Sequence, residues 1–179
     1  MTAPVSNSIC ANASSRRDSF ALAARRIPGL RLRIAGAPIG DAGAALADRL
    51  RQRAGEPDLA GRVELLGPVA DVPAALAGAT CLLHCADREP YGMALVEALA
   101  CGRPVVAADG GGPREIVDPA CGVLYAPGDA QAAAAALVDA IGRAGELGRG
   151  ARVRAETAFD DAAARGRFRD LIDTVTGPA

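Results

Sequence analysis

The chain has 179 residues, enough for one domain with a real core; 50% are hydrophobic but only 3% aromatic, with no tryptophan, so that core should rest on Ala, Leu and Val. Every basic side chain apart from the single histidine is arginine, and a formal net charge of −1 leaves no basic field to attract nucleic acid. No apolar run approaches the roughly 18 residues of a membrane span, and no basic-then-apolar leader opens the chain. Five cysteines without a CxxC pair read as small buried thiols in a reducing cytosol, so a cytoplasmic location is expected.

In chain order, residues 1–13 carry little periodicity and are expected to be a loose N-terminal segment or a poor edge strand. Residues 14–179 are expected to form the domain. Ser14 or Ser15 suits the cap of a helix to about Arg26, with Phe20, Ala23, Ala24 and Ile27 on one face. Residues 30–35 alternate Leu32 and Ile34 with Arg31 and Arg33 and read as a strand. A glycine loop over 36–40 leads to a helix capped by Asp41 and ending near Ala54. A strand over 63–66 closes at Gly67-Pro68, and Asp71 caps a short helix holding Leu76. Residues 80–84 are too few for a helix and suit a buried parallel strand. After the central loop and helix come a strand at Val105-Val106-Ala107, a glycine loop over 109–112, and a short helix with Pro113 at its first position. A strand over 123–125 precedes an Ala-rich helix from Asp129 to about Ala144. An arginine-rich stretch then ends in a helix bearing Phe168, Leu171, Ile172 and Val175. Strands alternating with helices across short loops predict an α/β domain, an open parallel Rossmann-like sheet with helices on both faces.

The most informative stretch is Glu89-Pro90-Tyr91-Gly92-Met93-Ala94-Leu95-Val96-Glu97-Ala98-Leu99-Ala100-Cys101-Gly102-Arg103-Pro104-Val105-Val106. Pro90 and Gly92 mark a turn, the apolar residues from Met93 fall at helical spacing, and Gly102 stops the helix. Glu89 therefore sits at the carboxyl end of a strand and Glu97 about one and a half turns into the next helix. Ligands bind in that crevice of open α/β sheets, and the free N–H groups of a helix start favour an anion such as a diphosphate. The chain has neither G-x-G-x-x-G nor G-x-x-x-x-G-K-S/T, which argues against a dinucleotide site and an NTPase.

Two glutamates separated by seven residues, the second followed by Ala-Leu-Ala-Cys-Gly-Arg-Pro-Val-Val, resemble the E-x7-E signature of family 4 glycosyltransferases. Gly111-Gly112-Pro113-Arg114-Glu115-Ile116-Val117 resembles that family's GG-x-x-E-I-V loop, and residues 122–129 its G-L-L-V-x-P-G-D turn. Leu65-Leu66-Gly67-Pro68-Val69 resembles its F-L-G-x-V strand end. The four motifs occur in order between residues 30 and 138. The resemblance implies the C-terminal, donor-binding half of a GT-B enzyme that transfers a hexose with retention from a nucleotide diphosphate sugar to an acceptor hydroxyl. It implies no metal or other cofactor, and a partner in the form of a separate N-terminal half or a second subunit.

Carried onto this chain, the resemblance assigns Glu89 to the donor sugar, Glu97 to the ribose hydroxyls and Val69 to the nucleobase. Gly92, Met93 and Ala94 would offer N–H groups to the diphosphate, and Gly111 and Gly112 would form a second anion nest before Pro113. Each residue also has a plainer reading. Glu89 can cap the helix, Glu97 can be a solvated helix glutamate, Gly92 a turn glycine and Val69 a packing residue. Arg114 reads as a surface arginine, and His84 as a structural histidine at a strand end. The family's G-R-x-x-x-x-K-G clamp is missing over residues 9–17, and no lysine exists anywhere in the chain. Arg16 or Arg17 lies near the same place, although arginine is not equivalent to lysine. Two further readings stand beside the enzyme: a truncated or degenerate nucleotide-sugar-binding module, and an interaction protein pairing with another subunit.

Overall fold

The computed structural model describes residues 7–11 and 17–160. Six strands form one all-parallel sheet in the order β3-β2-β1-β4-β5-β6. They are β1 (Asn7–Ala11), β2 (Arg31–Ala35), β3 (Val63–Gly67), β4 (Cys81–His84), β5 (Val105–Ala108) and β6 (Gly122–Tyr125). The helices are α1 (Arg17–Arg26), α2 (Gly40–Ala54), α3 (Val72–Ala77), α4 (Met93–Ala100), α5 (Pro113–Ile116), α6 (Ala130–Gly142) and α7 (Ala144–Ala158). The sheet is therefore the open Rossmann-like arrangement expected from the alternating pattern. Its strand order reverses between β1 and β4, and the crevice at that switch point is where such folds bind ligands.

Two apolar layers cover the sheet. On one face α1 and α6 pack over Leu32, Leu83 and Val106, with Phe20 and Leu137 buried among them. On the other, α3, α4 and α7 pack over Leu82, Val105 and Ala107. β4 and β5 are buried at every position, as parallel strands covered on both faces must be. Asp71 accepts the N–H of Ala74, and Asp129 accepts those of Gln131 and Ala132, so both act as the caps the sequence predicts. Asp41 does not cap α2: Ile39 is the N-cap, with no side-chain bond, and Asp41 lies inside the first turn. That helix buries none of its residues and stands off the sheet over a groove of 510 Å³.

The largest departure from expectation is at the N-terminus. Residues 7–11, expected in a loose segment or a poor edge strand, form β1 in the interior of the sheet. They pair with β2 on one side and β4 on the other, Ile9 lying in register with Arg33 and Leu82. The segment shows no alternation because a strand flanked on both sides draws its order from neighbouring backbones rather than from one buried face. Helix α7 was hidden for a related reason. Its sequence is broken by Gly145, Gly148 and Gly150 and by arginines, yet Leu147, Ala151 and Ala155 recur at one-turn spacing and are buried. A Cβ at Gly148 would come 2.8 Å from the carbonyl of Gly102, and one at Gly150 would meet the carbonyl of Ala120. These glycines let the helix lie directly on the turns beneath it. The expected helix bearing Phe168, Leu171, Ile172 and Val175 lies outside the described residues, as do Ser14, Ser15 and Arg16.

Removing residues 1–11 is expected to abolish cooperative urea unfolding, because the loss of an interior strand is on the scale of a domain's whole stability, about 5–15 kcal/mol. An unchanged urea midpoint would mean that the segment is dispensable and not part of the sheet.

Candidate functional site

The site grows from the end of β4. His84 is the last residue of that strand, beside Ala11 and Ala107, and is buried. Its carbonyl accepts the Tyr125 hydroxyl at 3.1 Å. Eight residues later, the turn into α4 needs a left-handed residue at its N-cap, and Gly92 supplies it with φ 96°. Between the two stands Glu89. Its Oε1 accepts the N–H of Gly92 at 3.0 Å and that of Tyr91 at 3.3 Å. Its Oε2 lies 3.3 Å from His84 Nε2. The carboxylate thus caps the turn, as its plainer reading holds, while its side chain remains 20% exposed.

The glycines of the next loop set the backbone of Glu89. Gly112 N–H donates to the Glu89 carbonyl at 2.8 Å, and Glu89 and Gly111 form a parallel bridge beyond the ends of β4 and β5. A Cβ at Gly111 would collide with the Glu89 carbonyl, and one at Gly112 with the Tyr91 carbonyl. At Gly110 it would stand 2.7 Å from the Asp87 carbonyl. Three successive glycines are needed because two main chains run in contact. The expected second anion nest has a different occupation here: the Gly112 N–H is already spent on Glu89, and the Arg114 and Glu115 N–H groups close turns onto Gly111 and Gly112. Arg114 pairs with Asp109 at 2.7 Å and is the surface arginine its plainer reading holds.

Val69, Ala94 and Glu97, which the sequence places in three separate segments, line one cavity of 220 Å³. Gly36, Val72 and Leu76 complete most of its wall. Glu97 is exposed rather than enclosed by its helix, and no ion pair or hydrogen bond engages its carboxylate among the described residues. Met93 and Ala94 are the first two helical residues, whose N–H groups have no carbonyl one turn earlier. Gly92, expected to join them, gives its N–H to Glu89 instead. The arrangement is a carboxylate fixed at a strand end, a free helix start, and a small apolar cavity with a second carboxylate at its side. Chemically it suits a polar ligand with an anionic middle and a flat apolar end.

Sequence reasoning missed Tyr125, Gly36 and the close-packing role of the glycine run. The run of three glycines was itself the available signal; nothing local marks Tyr125, which reaches His84 across β5. Among the described residues no group of three His, Cys, Asp or Glu side chains is placed to hold a metal, and no helix is long and apolar enough to cross a membrane.

The profile of the family described as glycosyl transferases group 1 matches residues 17–146. The chain belongs to this family. Among curated members, the group 1 chain is 37% identical over 123 residues to the D-inositol 3-phosphate glycosyltransferase of Mycobacterium marinum, covering 64% of this chain and 25% of that protein. It is 41% identical over 95 residues to the phosphatidyl-myo-inositol mannosyltransferase of Mycolicibacterium smegmatis, covering 51% and 24%. Among solved structures it matches Anabaena HepE in complex with UDP and glucose with a TM-score of 0.81 at 25% identity, over 95% of this chain and 48% of that one. Sucrose-phosphate synthase from Thermosynechococcus elongatus gives 0.80 at 25% identity, over 99% and 47%. These neighbours are GT-B glycosyltransferases, so the group 1 chain has the fold of one half of that architecture. It spans about half the length of the solved chains and about a quarter of the curated relatives.

Burial holds the His84 pKa below its ordinary value of 6.5, and the Glu89 carboxylate only partly offsets this. The unfolded chain therefore takes up a proton at a higher pH than the folded one. The neutral ring's contribution is fully present above about pH 6.5 and is lost as pH falls through the lower folded value. Denaturant melts from pH 7.5 down to about pH 5 should show the wild-type chain losing stability faster than His84→Gln. Parallel curves would contradict the burial of a neutral imidazole.

Proposed function

We propose that this chain is the donor-binding, C-terminal half of a retaining family 4 glycosyltransferase, taking a nucleotide diphosphate sugar. The observation that carries the reading is the convergence of Val69, Ala94 and Glu97 on one cavity beside the free start of α4. In this reading the base enters the cavity against Val69, and Glu97, an acceptor-only carboxylate without another partner, takes the ribose hydroxyls. The diphosphate lies on the Met93 and Ala94 N–H groups, where the helix start stabilises the charge that grows as the leaving group departs. Glu89 faces the sugar with the acceptor capacity its three bonds leave open. Gly92 and Gly112, whose N–H groups are taken by Glu89, shape this ground, and Gly111 keeps the anion-nest role the resemblance assigns it. No metal or other cofactor is needed for these contacts.

The complexes of HepE with UDP and with UDP-glucose support a nucleotide-sugar donor. The acceptor would come from a second lobe, on the same polypeptide or on a separate subunit. Ile39 and Tyr91, on loops at this crest, and Met93, at the start of α4, are among the most exposed large apolar side chains described and suit such a contact. A cytoplasmic location agrees with a cytosolic donor pool and with the free thiols. A second reading, a binding module without catalysis, is favoured by one fact: the chain has no lysine with which to clamp the diphosphate.

Calorimetry with nucleoside diphosphates and their sugars is the deciding experiment. The wild-type chain should bind both, Glu97→Ala should weaken both by about 10–100-fold, as loss of a charged hydrogen bond predicts, and Glu89→Gln should weaken the sugar nucleotide alone. Equal binding before and after Glu97→Ala would place the ribose elsewhere. As a test of the second reading, the 179-residue chain assayed by itself should release nucleoside diphosphate slowly and without response to acceptors, since positioning an acceptor can account for roughly 7–11 kcal/mol of a barrier. Acceptor-dependent turnover on the order of 1 per second would show that these residues suffice for transfer.

A further inference from the structure

We propose that His84 is the positioning residue of Glu89, holding through its Nε2–H the carboxylate orientation that meets the donor sugar. The inference rests on the donor-site reading above and adds to it a residue that the motifs do not include.

Oε1 of Glu89 is anchored by two N–H groups of its own loop, from Tyr91 and Gly92. Those bonds fix one oxygen but leave the other free to swing about it. Oε2 meets one partner among the described residues, His84 Nε2 at 3.3 Å. A carboxylate only accepts, so the proton between the two groups belongs to Nε2. The second nitrogen agrees with this assignment. His84 Nδ1 is buried with no hydrogen-bond partner, and a proton there would be an orphaned buried donor, while the bond to Glu89 would lose its own. Both ends of the ring therefore select the same tautomer.

The ring is also a rigid support. His84 lies in the strand register between Ala11 and Ala107, its side chain is 3% exposed, and the Tyr125 hydroxyl fixes its carbonyl. The loop that carries Glu89 is held from below by the sheet through His84 and from the side by the Gly112 N–H. The nucleotide contacts of Glu97, Met93 and Ala94 come from α4 and not from this loop, so the two halves of the ligand can be separated experimentally.

The test measures dissociation constants for a nucleoside diphosphate and for its sugar nucleotide in the wild-type chain, His84→Leu, His84→Asn and His84→Gln. Glutamine returns an amide N–H near the Nε2 position, whereas asparagine reaches only to Nδ1. Expected are unchanged diphosphate binding in all variants and about tenfold weaker sugar-nucleotide binding in Leu and Asn, recovered in Gln. Should His84→Leu fail to fold, the Asn and Gln pair decides the matter alone. Equal weakening of both ligands, or a sugar contribution untouched by Asn, overturns the proposal while leaving the donor site standing. A wild-type chain that binds neither ligand overturns the donor-site reading and this proposal with it. Imidazole nitrogen NMR of the free chain supplies a readout without ligand. The Nε2–H tautomer is expected, with a shift on Glu89→Gln, and an Nδ1–H tautomer would refute the assignment.

Discussion

The contact of two main chains at the top of the sheet governs the rest of the site. Residues 87–91 and 110–112 run side by side past the ends of β4 and β5, joined by the Gly112 to Glu89 bond and the Glu89–Gly111 bridge. Side chains at 110–112 would force these strands of loop apart. Without the contact, Glu89 would sit on an eight-residue connection between β4 and α4 with only its own turn to orient it. With it, the sheet is in effect extended by one bridge, and a loop residue inherits the rigidity of a strand. Function carried on loops depends on such support.

The electrostatics follow from that geometry. Glu89 gathers three donors and keeps a partly open face; Glu97 gathers none and stands at the mouth of an apolar cavity. One carboxylate is held in place by the protein, and the other has no hydrogen-bond or ion-pair partner among the described residues. Between them lies a helix start with two unsatisfied N–H groups, the natural seat for negative charge. With no lysine in the sequence, the helix start and arginine are the sources of positive potential among these residues.

The two sheet faces divide the work. The layer of α1 and α6 is a packing layer, built on Phe20, Leu83 and Leu137. The layer of α3 and α4 leaves a gap, and that gap is the cavity under Val69 and Glu97. α7 closes the same layer further along, lying on the turn at Gly102 by means of its glycines. Leucine, valine and alanine do most of this packing, as expected of a core almost without aromatics.

By itself the sequence determined the alternation of strands and helices, the caps at Asp71 and Asp129, the turn at Gly92 and the spacing of the two glutamates. These are local properties: period, cap chemistry and glycine conformation act over one or two turns of chain and can be read from neighbours. Only the tertiary structure decided that residues 7–11 are an interior strand, that α7 is a helix, that Gly112 serves Glu89, and that Tyr125 and His84 stand behind the site. Each of these depends on a partner far away in sequence. β1 is ordered by β2 and β4, α7 by the carbonyls of Gly102 and Ala120, and the orientation of Glu89 by an imidazole whose second nitrogen has no partner. Pairing between distant backbones leaves no periodicity in the segment that is paired, so its signature appears only once the chain has folded.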